Sequence, residues 1–234
     1  MPHKVAILSH LDDITPEGQA VGACNTIFRR DSKLVGTNTD IIGVRDSFYQ
    51  NIPNPDEVFH GRPGMVIGGG GATRAAVYAL VRLMKCKAVY LVNRDPVEVD
   101  AIISWCKAQG YGEGLLHVFT MSQAESLEGP GAIVACVPNF PPVTEAEREA
   151  RGVSETFFAK PHKGAMLEMC YHPTVHTELG GLAEKAGWKV ILGTEAMIYQ
   201  GLEQGHLWTG KDVADLPAQA VKDVIAQELS KAKL

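Results

Sequence analysis

Short apolar runs alternate with polar turns and with longer helical stretches along most of this chain. Runs bounded by turn formers predict buried strands at Met65–Ile67, Ala88–Val92, Ala132–Cys136, Gly164–Met169 and Trp188–Leu192. Between the first two runs, residues 75–84 carry apolar side chains at helical spacing. Strands that alternate with helices are typical of a parallel sheet covered by helices on both faces. We therefore predict an α/β fold with a doubly wound parallel sheet.

The two ends of the chain follow other patterns. Near the start, Thr15 followed by proline is typical of a helix N-terminus, and two short strands are predicted at Ala23–Phe28 and Lys33–Gly36. Residues 51–56 are rich in turn formers and indicate a linker. Residues 194–231 show helical periodicity and no strand pattern. We therefore divide the chain into a small α/β part at 1–52, the doubly wound part at 60–190 and C-terminal helices at 191–234 that return to the small part.

Composition limits the classes of protein to which the chain can belong. Its 234 residues are 45% hydrophobic and 21% charged, as in an ordinary globular protein. A net charge of −5 disfavours binding to nucleic acid, and no apolar run has the length of a membrane span. Its five cysteines are scattered without a Cys-x-x-Cys pair, which disfavours zinc sites and disulfides. We expect a cytoplasmic protein with no metal site.

A glycine-rich turn lies between the first strand of the doubly wound part and the helix that follows it. Gly68, Gly69, Gly70 and Gly71 allow a tight turn and a close approach of the backbone to a ligand, and Ala72 leads into the helix. A turn of this kind presents the N-terminus of the helix to a pyrophosphate. The pattern predicts a dinucleotide site on a Rossmann-type sheet.

The end of the second strand is the position that selects the dinucleotide. Asn93 is followed there by Arg94 and Asp95. An acidic residue at this point binds the ribose hydroxyls of NAD, whereas a basic residue attracts the 2′-phosphate of NADP. Asp95 favours NAD, with NADP as the alternative. A plain surface turn with two solvated charges would also produce this sequence.

Several motifs occur in an order that resembles the shikimate dehydrogenase family. These motifs are Gly22-Ala-Cys-Asn-Thr26, Asn38-Thr-Asp-Ile-Ile-Gly43, the glycine turn closing on Arg74, Tyr171-His-Pro173 and Gln200-Gly201. The triplet Asn93-Arg94-Asp95 and the stretch Gly193–Gln204 resemble its quinate-using branch, the fungal quinate dehydrogenases. The resemblance runs from residue 2 to about residue 215. It implies an NAD(P)-dependent oxidoreductase of quinate catabolism or of the shikimate pathway, with a cyclitol carboxylate as substrate and a monomer or homodimer as the assembly.

The resemblance also implies roles for individual residues. Lys4 and Asp40 would be the catalytic pair that flanks the reacting hydroxyl. The substrate-binding residues would be Asn25, Thr26, Tyr171 and Gln200. The cofactor-binding residues would be Gly68, Gly69, Gly70, Gly71, Ala72, Asn93, Arg94, Asp95, Val137, Gly193 and Met197. Oxidation of an alcohol requires a group that takes the hydroxyl proton, and a lysine oriented by a carboxylate can do so.

Each of these residues also has an ordinary structural explanation. Lys4 is close to a terminus, Asp40 could cap the helix that begins at Ile41, and Tyr171 could be a core aromatic residue. The amides Asn25 and Gln200 could belong to a turn and to a helix surface. The combination of the motifs favours the catalytic interpretation.

Family members carry a further segment ahead of the Pro-x-Lys motif, which provides partners for the substrate carboxylate. We expect the natural protein to begin upstream of Met1, with this chain lacking that segment. Without it, substrate affinity should fall because a carboxylate would lose its partners. Two other functions stay open at this point. The chain could be a non-catalytic metabolite-binding regulator similar to fungal quinate repressors, or a biosynthetic shikimate dehydrogenase that uses NADP.

Overall fold

The computed structural model describes residues 3–231. Met1 and Pro2 lie outside the described residues, and so does the expected extension upstream of Met1; the Pro-x-Lys motif begins at Pro2. Its main element is a six-stranded parallel sheet in the order β6-β5-β4-β7-β8-β9. The strands are β4 (Pro63–Ile67), β5 (Ala88–Val92), β6 (Leu115–His117), β7 (Ala132–Ala135), β8 (Ala165–Glu168) and β9 (Lys189–Leu192). The strand order reverses between β4 and β7, which is the point where ligands bind in doubly wound sheets. The predicted α/β fold with a Rossmann-type sheet is confirmed.

Helices cover both faces of this sheet because its strands are apolar on both sides. Along β4, Val66 packs into one core, while Met65 and Ile67 pack into the other. The helices connecting the strands are α4 (Thr73–Tyr78), which continues as a π-helix over Ala79–Leu83, α5 (Pro96–Ala108), α6 (Met121–Ser126), α7 (Glu145–Phe158) and α8 (Glu178–Lys185). The predicted helix over 75–84 therefore starts two residues earlier and ends in a π turn.

A second, three-stranded sheet is built from β1 (Asp13–Ile14), β2 (Thr26–Arg30) and β3 (Lys33–Thr37). Strands β2 and β3 form a hairpin, and β1 pairs with β3 in parallel. Before the hairpin, a 3-10 helix (Ala6–His10) precedes β1, and α1 (Pro16–Val21) follows it. The Thr15 hydroxyl accepts a hydrogen bond from the amide of Gly18, which caps α1 as its sequence predicts.

Two helices join the small sheet to the large one. Helix α2 (Asp40–Asn51) follows β3 directly and packs against α9 (Gly193–Thr209), which follows β9. Between α2 and β4 there is a short helix α3 (Pro55–Val58), and the chain beyond α9 forms a 3-10 helix (Val213–Asp215) and α10 (Ala218–Lys231). Strands β3 and β9 thus each lead directly into one helix, and these two helices pack together beside the large sheet.

Candidate active site

Lys4 and Asp40 lie in contact beside the N-terminus of α2. The Nζ atom of Lys4 is 2.6 Å from Oδ2 of Asp40, and both side chains are partly exposed, at 26% and 17%. Asp40 does not cap α2, since Thr39 is the N-cap and its side chain makes no capping hydrogen bond. The backbone carbonyl of Lys4 accepts a hydrogen bond from the amide of Cys24, which ties this end of the chain to the next motif. The carboxylate is therefore directed at the ammonium group.

Amide side chains complete this cluster. The Asn25 Nδ2 atom donates to Oδ1 of Asp40 at 2.8 Å, and it lies 3.2 Å from Oε1 of Gln200. The Asn25 Oδ1 atom accepts from the backbone amide of Thr39 at 2.8 Å, which fixes its orientation. Gln200 reaches the cluster from α9, which is far from the other three residues in the sequence. The structure thus brings together Lys4, Asp40, Asn25 and Gln200 from four separate segments.

Thr26 and Gln204 support the cluster from behind. The Thr26 hydroxyl donates to Oδ1 of Asn25 at 2.8 Å and accepts from Nε2 of Gln204 at 3.0 Å. Thr26 is only 2% exposed, so it holds Asn25 in place while facing away from solvent. Gln204 also donates to Oε1 of Gln200 at 3.1 Å. No sequence motif assigned a role to Gln204 or Thr39. The spacing of four residues between Gln200 and Gln204 places both on one face of a helix and could have indicated Gln204.

Two glycines of the motifs are required by close backbone contacts around the cluster. Gly22 ends α1 in the left-handed region at φ +66°. A Cβ at Gly43 would lie 2.6 Å from the carbonyl oxygen of Ala196, so only glycine lets α2 approach α9 this closely. The Asn38 side chain donates to the carbonyl of Ala23 at 3.0 Å and joins the two motif turns. The motifs therefore describe one connected site.

The glycine turn is shaped as a cradle with an open side. Gly68 has φ +118°, and a Cβ there would lie 3.0 Å from the carbonyl oxygen of Cys136. A Cβ at Gly69 would meet the side chains of Asn93 and Glu98. By contrast, a Cβ at Gly70 or Gly71 would meet nothing within 4 Å, so this part of the backbone is free to approach a ligand. Ala72 is the N-cap residue of α4, which begins at Thr73.

A cavity of about 450 Å³ adjoins this turn at the carboxyl ends of β4, β5 and β7. Its walls include Gly68, Gly69, Gly70, Asn93, Arg94 and Val137. Asp95 is the N-cap of α5, where its Oδ1 atom accepts from the amide of Val97 at 2.9 Å. Arg94 forms an ion pair with Glu147 at the start of α7. Each of the two charges that follow β5 therefore has its own partner.

Cys136 directly follows β7 and lines the cavity. Burial, reinforced by the negative charges of Glu168 and Asp40, raises the pKa of the Cys136 thiol to about 12. Both carboxylates thus disfavour the thiolate form of Cys136 further than burial alone does.

Three predicted residues lie apart from these contacts. Tyr171 is 46% exposed in the loop after β8, where His172 and Pro173 are joined by a cis peptide bond. Gly193 begins α9, and a Cβ there would lie 2.6 Å from the carbonyl oxygen of Glu168. Met197 is half-buried on α9, whereas its neighbour Ala196 is buried. All three residues follow the carboxyl ends of β8 and β9 in the large sheet. Among the hydrogen bonds of the described residues, none joins them to the cluster of Lys4, Asp40, Asn25 and Gln200.

Comparisons with known proteins agree with this architecture. Quinate dehydrogenase of Emericella nidulans is 44% identical over 243 residues, which cover 98% of this chain and 74% of that protein. Among solved structures, dehydroquinate dehydratase and shikimate dehydrogenase from S. pombe AroM is 28% identical with a TM-score of 0.78, over 94% of this chain and 41% of that one. Quinate dehydrogenase from Corynebacterium glutamicum in complex with NAD has the same fold at a TM-score of 0.71, with 22% identity over 91% of this chain and 72% of that one. No protein-family model matches the chain.

Neither a membrane-spanning helix nor a metal-binding cluster is found among the described residues. Among the described residues, no helix has both the length and the apolar character needed to cross a bilayer. The same part of the chain contains no cluster of three or more histidine, cysteine or acidic residues placed to hold a metal ion.

Proposed function

The chain belongs to the family of quinate and shikimate dehydrogenases, and we propose that it transfers hydride between quinate or shikimate and a nicotinamide dinucleotide, giving 3-dehydroquinate or 3-dehydroshikimate. The observation that carries this proposal is the ion pair of Lys4 and Asp40, which shares hydrogen bonds with Asn25. In this proposal, residues 1–52 form the substrate side, residues 60–190 bind the dinucleotide, and residues 191–234 return to the substrate side. The protein would act in the cytoplasm as a monomer or homodimer, without nucleic acid as a partner.

The cavity fits a dinucleotide by its shape. Gly70 and Gly71 offer open backbone to a pyrophosphate, and the apolar wall formed by Val137 and Phe140 suits an adenine ring. Asn93 and Asp95 would hold the ribose, and Gly193 and Met197 would face the nicotinamide. Acceptance or donation of hydride is the chemistry that the bound nicotinamide supplies.

Lys4 and Asp40 handle the proton in this mechanism. Lys4 first releases a proton to solvent, because only its neutral amine can accept another. As the carbon–hydrogen bond breaks and hydride leaves, the hydroxyl proton passes to Nζ of this amine, the carbon–oxygen bond becomes a carbonyl, and the ammonium group forms again beside Asp40. Asp40 keeps the amine in line with the hydroxyl through the 2.6 Å contact. In the reverse direction, Lys4 returns the proton to the carbonyl oxygen.

The amides orient the substrate ring. Asn25 and Gln200 present hydrogen-bonding groups in fixed positions, with Thr26 and Gln204 holding them from behind. A polyol with several hydroxyls matches such an arrangement because each hydroxyl both donates and accepts. Tyr171, on the exposed loop after β8, would close over the substrate from the dinucleotide side.

The test is the reduction of NAD or NADP by quinate and by shikimate, followed through the absorbance of the reduced nicotinamide. We expect K4A to lower kcat by about 10²–10⁴-fold, the usual contribution of a positioned acid or base. The D40N variant should also lower kcat, since it leaves the amine without its charged partner. The matched control is K33A, which removes an exposed lysine of β3 and should leave turnover unchanged.

Dinucleotide binding distinguishes loss of chemistry from loss of the fold. K4A should still bind NAD with unchanged affinity, because Lys4 lies outside the cavity lined by the glycine turn. An unaltered kcat in K4A would overturn the proposed role of Lys4. Binding of quinate and NAD without any turnover by the native chain would instead favour a regulatory protein.

A further inference from the structure

Four charged side chains line the cavity next to the glycine turn: Arg94, Glu98, Glu147 and Arg151. Both arginines are already paired. Arg94 contacts Glu147, and Nη1 of Arg151 is 3.1 Å from Oε1 of Glu178. Glu98 accepts a hydrogen bond from Asn93 at 2.7 Å. Among the residues described as lining this cavity, each arginine therefore meets a carboxylate before any ligand enters.

Glu147 is held firmly in its position. Its Oε2 atom accepts hydrogen bonds from the amides of Val143 and Thr144 at 2.9 and 2.8 Å. The Thr144 hydroxyl in turn accepts from the amide of Glu147, which completes a capping box at the start of α7. These hydrogen bonds, strengthened by Arg94, lower the pKa of Glu147 to about 2. The carboxylate thus stays charged at any working pH and keeps its place.

Arg94, unlike Glu147, is largely exposed to solvent. Its side chain is 61% exposed, and it lies beside Asp95 at the end of β5, where the adenosine ribose of a dinucleotide is held. An unpaired arginine at this point would attract the 2′-phosphate of NADP. The pairing with a fixed carboxylate removes that attraction and places a negative charge where the phosphate would arrive.

We infer that Glu147 is a specificity-determining residue, which disfavours dinucleotides carrying a 2′-phosphate by engaging Arg94. The inference rests on the proposed function and assigns part of the cofactor choice to α7. Asp95 also caps α5 through one of its oxygens. To bind a 2′-phosphate, the protein would have to break a charge-assisted hydrogen bond and bring two anions together.

The test replaces Glu147 by glutamine. E147Q removes the charge but preserves the capping box, in which glutamine serves as well as glutamate. We expect the ratio of kcat/KM for NADP to kcat/KM for NAD to rise about tenfold, as for a gained hydrogen bond to a charged group. The matched control is E145Q, which removes one negative charge from an exposed position in the same helical turn. The double variant R94Q/E147Q should lose the gain, since Arg94 is the group that E147Q releases.

Binding of nucleotide fragments provides a readout that does not depend on turnover. Calorimetry with 2′,5′-ADP and with 5′-AMP should show a tighter relative affinity for 2′,5′-ADP in E147Q than in the native chain. An unchanged ratio in E147Q, or an equal rise in E145Q, would overturn the role of Glu147. Fragment binding that follows this pattern without any oxidation of quinate or shikimate would support the inference while overturning the proposed reaction. Failure of both fragments to bind would overturn the inference together with the assignment of the cavity.

Discussion

At the scale of single residues, the contact of Lys4 with Asp40 joins two segments that are 36 positions apart in the chain. Its motif left Asp40 open as a helix cap or as one of a catalytic pair, and the combination of motifs favoured the pair. The side chain contacts Lys4, and Thr39 is the N-cap of α2, so the helix-cap explanation does not apply. Arg94 is a similar case, because its partner Glu147 lies on another helix and no local pattern points to it. A contact between distant segments depends on the packing of the whole chain and is invisible in one motif.

Glu168 was predicted only as one position of an apolar strand, yet its carboxylate holds the loop after β8 through hydrogen bonds. It is 1% exposed at the end of β8 and accepts hydrogen bonds from the Thr177 hydroxyl at 2.7 Å and the Cys170 amide at 3.0 Å. These bonds anchor both ends of the loop that carries Tyr171. Burial raises its pKa above the ordinary value, and the two hydrogen bonds offset only part of that shift.

This raised pKa gives a prediction about stability. A carboxyl that is harder to ionise in the folded state than in the unfolded state contributes fully to stability below its unfolded pKa of 4.5 and loses that contribution as pH rises through its folded pKa. The free energy of unfolding of the native chain, relative to that of E168Q, should therefore fall as pH rises above 4.5. Urea unfolding of both proteins across this range measures the difference. A difference that stays constant with pH would contradict a raised pKa. E155Q, at an exposed position of α7, controls for the loss of one carboxylate.

At the scale of elements, apolar runs predicted β5 at its observed bounds and β4, β7, β8 and β9 within two residues. Strands β4, β5, β7 and β8 are buried along almost their whole length, so their sequences are mostly apolar, whereas β9 begins at the exposed Lys189. Strand β6 was missed because it is a three-residue edge strand whose Leu116 is exposed and whose last residue is a histidine. The C-terminal helices were predicted to return to the small part of the chain, but no local pattern identifies α2 as the helix that α9 contacts, since that contact depends on a glycine whose partner, Ala196, lies on a distant helix.

The contact between α2 and α9 predicts that Gly43 tolerates no side chain. In G43A, the new Cβ would lie 2.6 Å from the Ala196 carbonyl oxygen and 3.1 Å from Cβ of Gln200, so the helices have to separate. We expect a loss of about 1–3 kcal/mol in the free energy of unfolding, as for an overpacked core. A rise in KM for quinate should accompany it because Gln200 moves. Thermal unfolding and steady-state kinetics measure the two effects.

The matched control is G201A, one residue beyond Gln200 on α9. A Cβ at Gly201 would meet nothing within 4 Å. Since alanine is the better helix former, G201A should leave the free energy of unfolding unchanged or raise it by about 0.5–1 kcal/mol. Equal effects of G43A and G201A would show that glycine flexibility, rather than the close approach of the helices, explains the result.

At the scale of the whole molecule, the site depends on how the two sheets are held together. Lys4, Asn25 and Asp40 belong to the part of the chain that holds the small sheet, whereas the cavity belongs to the large sheet. A second joint, besides α2 and α9, connects α1 to α5. The Trp105 Nε1 atom and the Tyr111 hydroxyl both donate to the carbonyl of Ala20, at 2.7 and 2.9 Å. The Trp105 ring also lies against Gly22, where a Cβ would be only 2.3 Å from it.

No sequence pattern indicates this joint, because Trp105 and Tyr111 contact a carbonyl group that lies 85 and 91 positions away in the chain. Its position explains why the motif that carries Asn25 begins with glycine. Gly22 must both adopt φ +66° and admit the indole ring, and the chain then turns directly toward Asn25. The guanidinium of Arg74, which closes the glycine turn, lies 4.7 Å from the centre of the same ring. Trp105 thus contacts both the segment that leads to the substrate side and the helix that follows the dinucleotide turn.

We therefore predict that Trp105 couples the two parts of the molecule. W105A should lower the free energy of unfolding by about 2–4 kcal/mol, as for loss of a large packed side chain, and should reduce kcat/KM for quinate. W105F keeps a ring in the joint, and Ala20 keeps its hydrogen bond from Tyr111, so a loss of about 1 kcal/mol is expected. Hydrogen exchange followed by mass spectrometry locates the effect. In W105A, amides of α1, β2 and β3 should lose protection while those of β4 and β7 keep theirs, because the small sheet can then open without unfolding the large one. Uniform loss of protection across both sheets would show that Trp105 stabilises the fold as a whole and does not act as a joint.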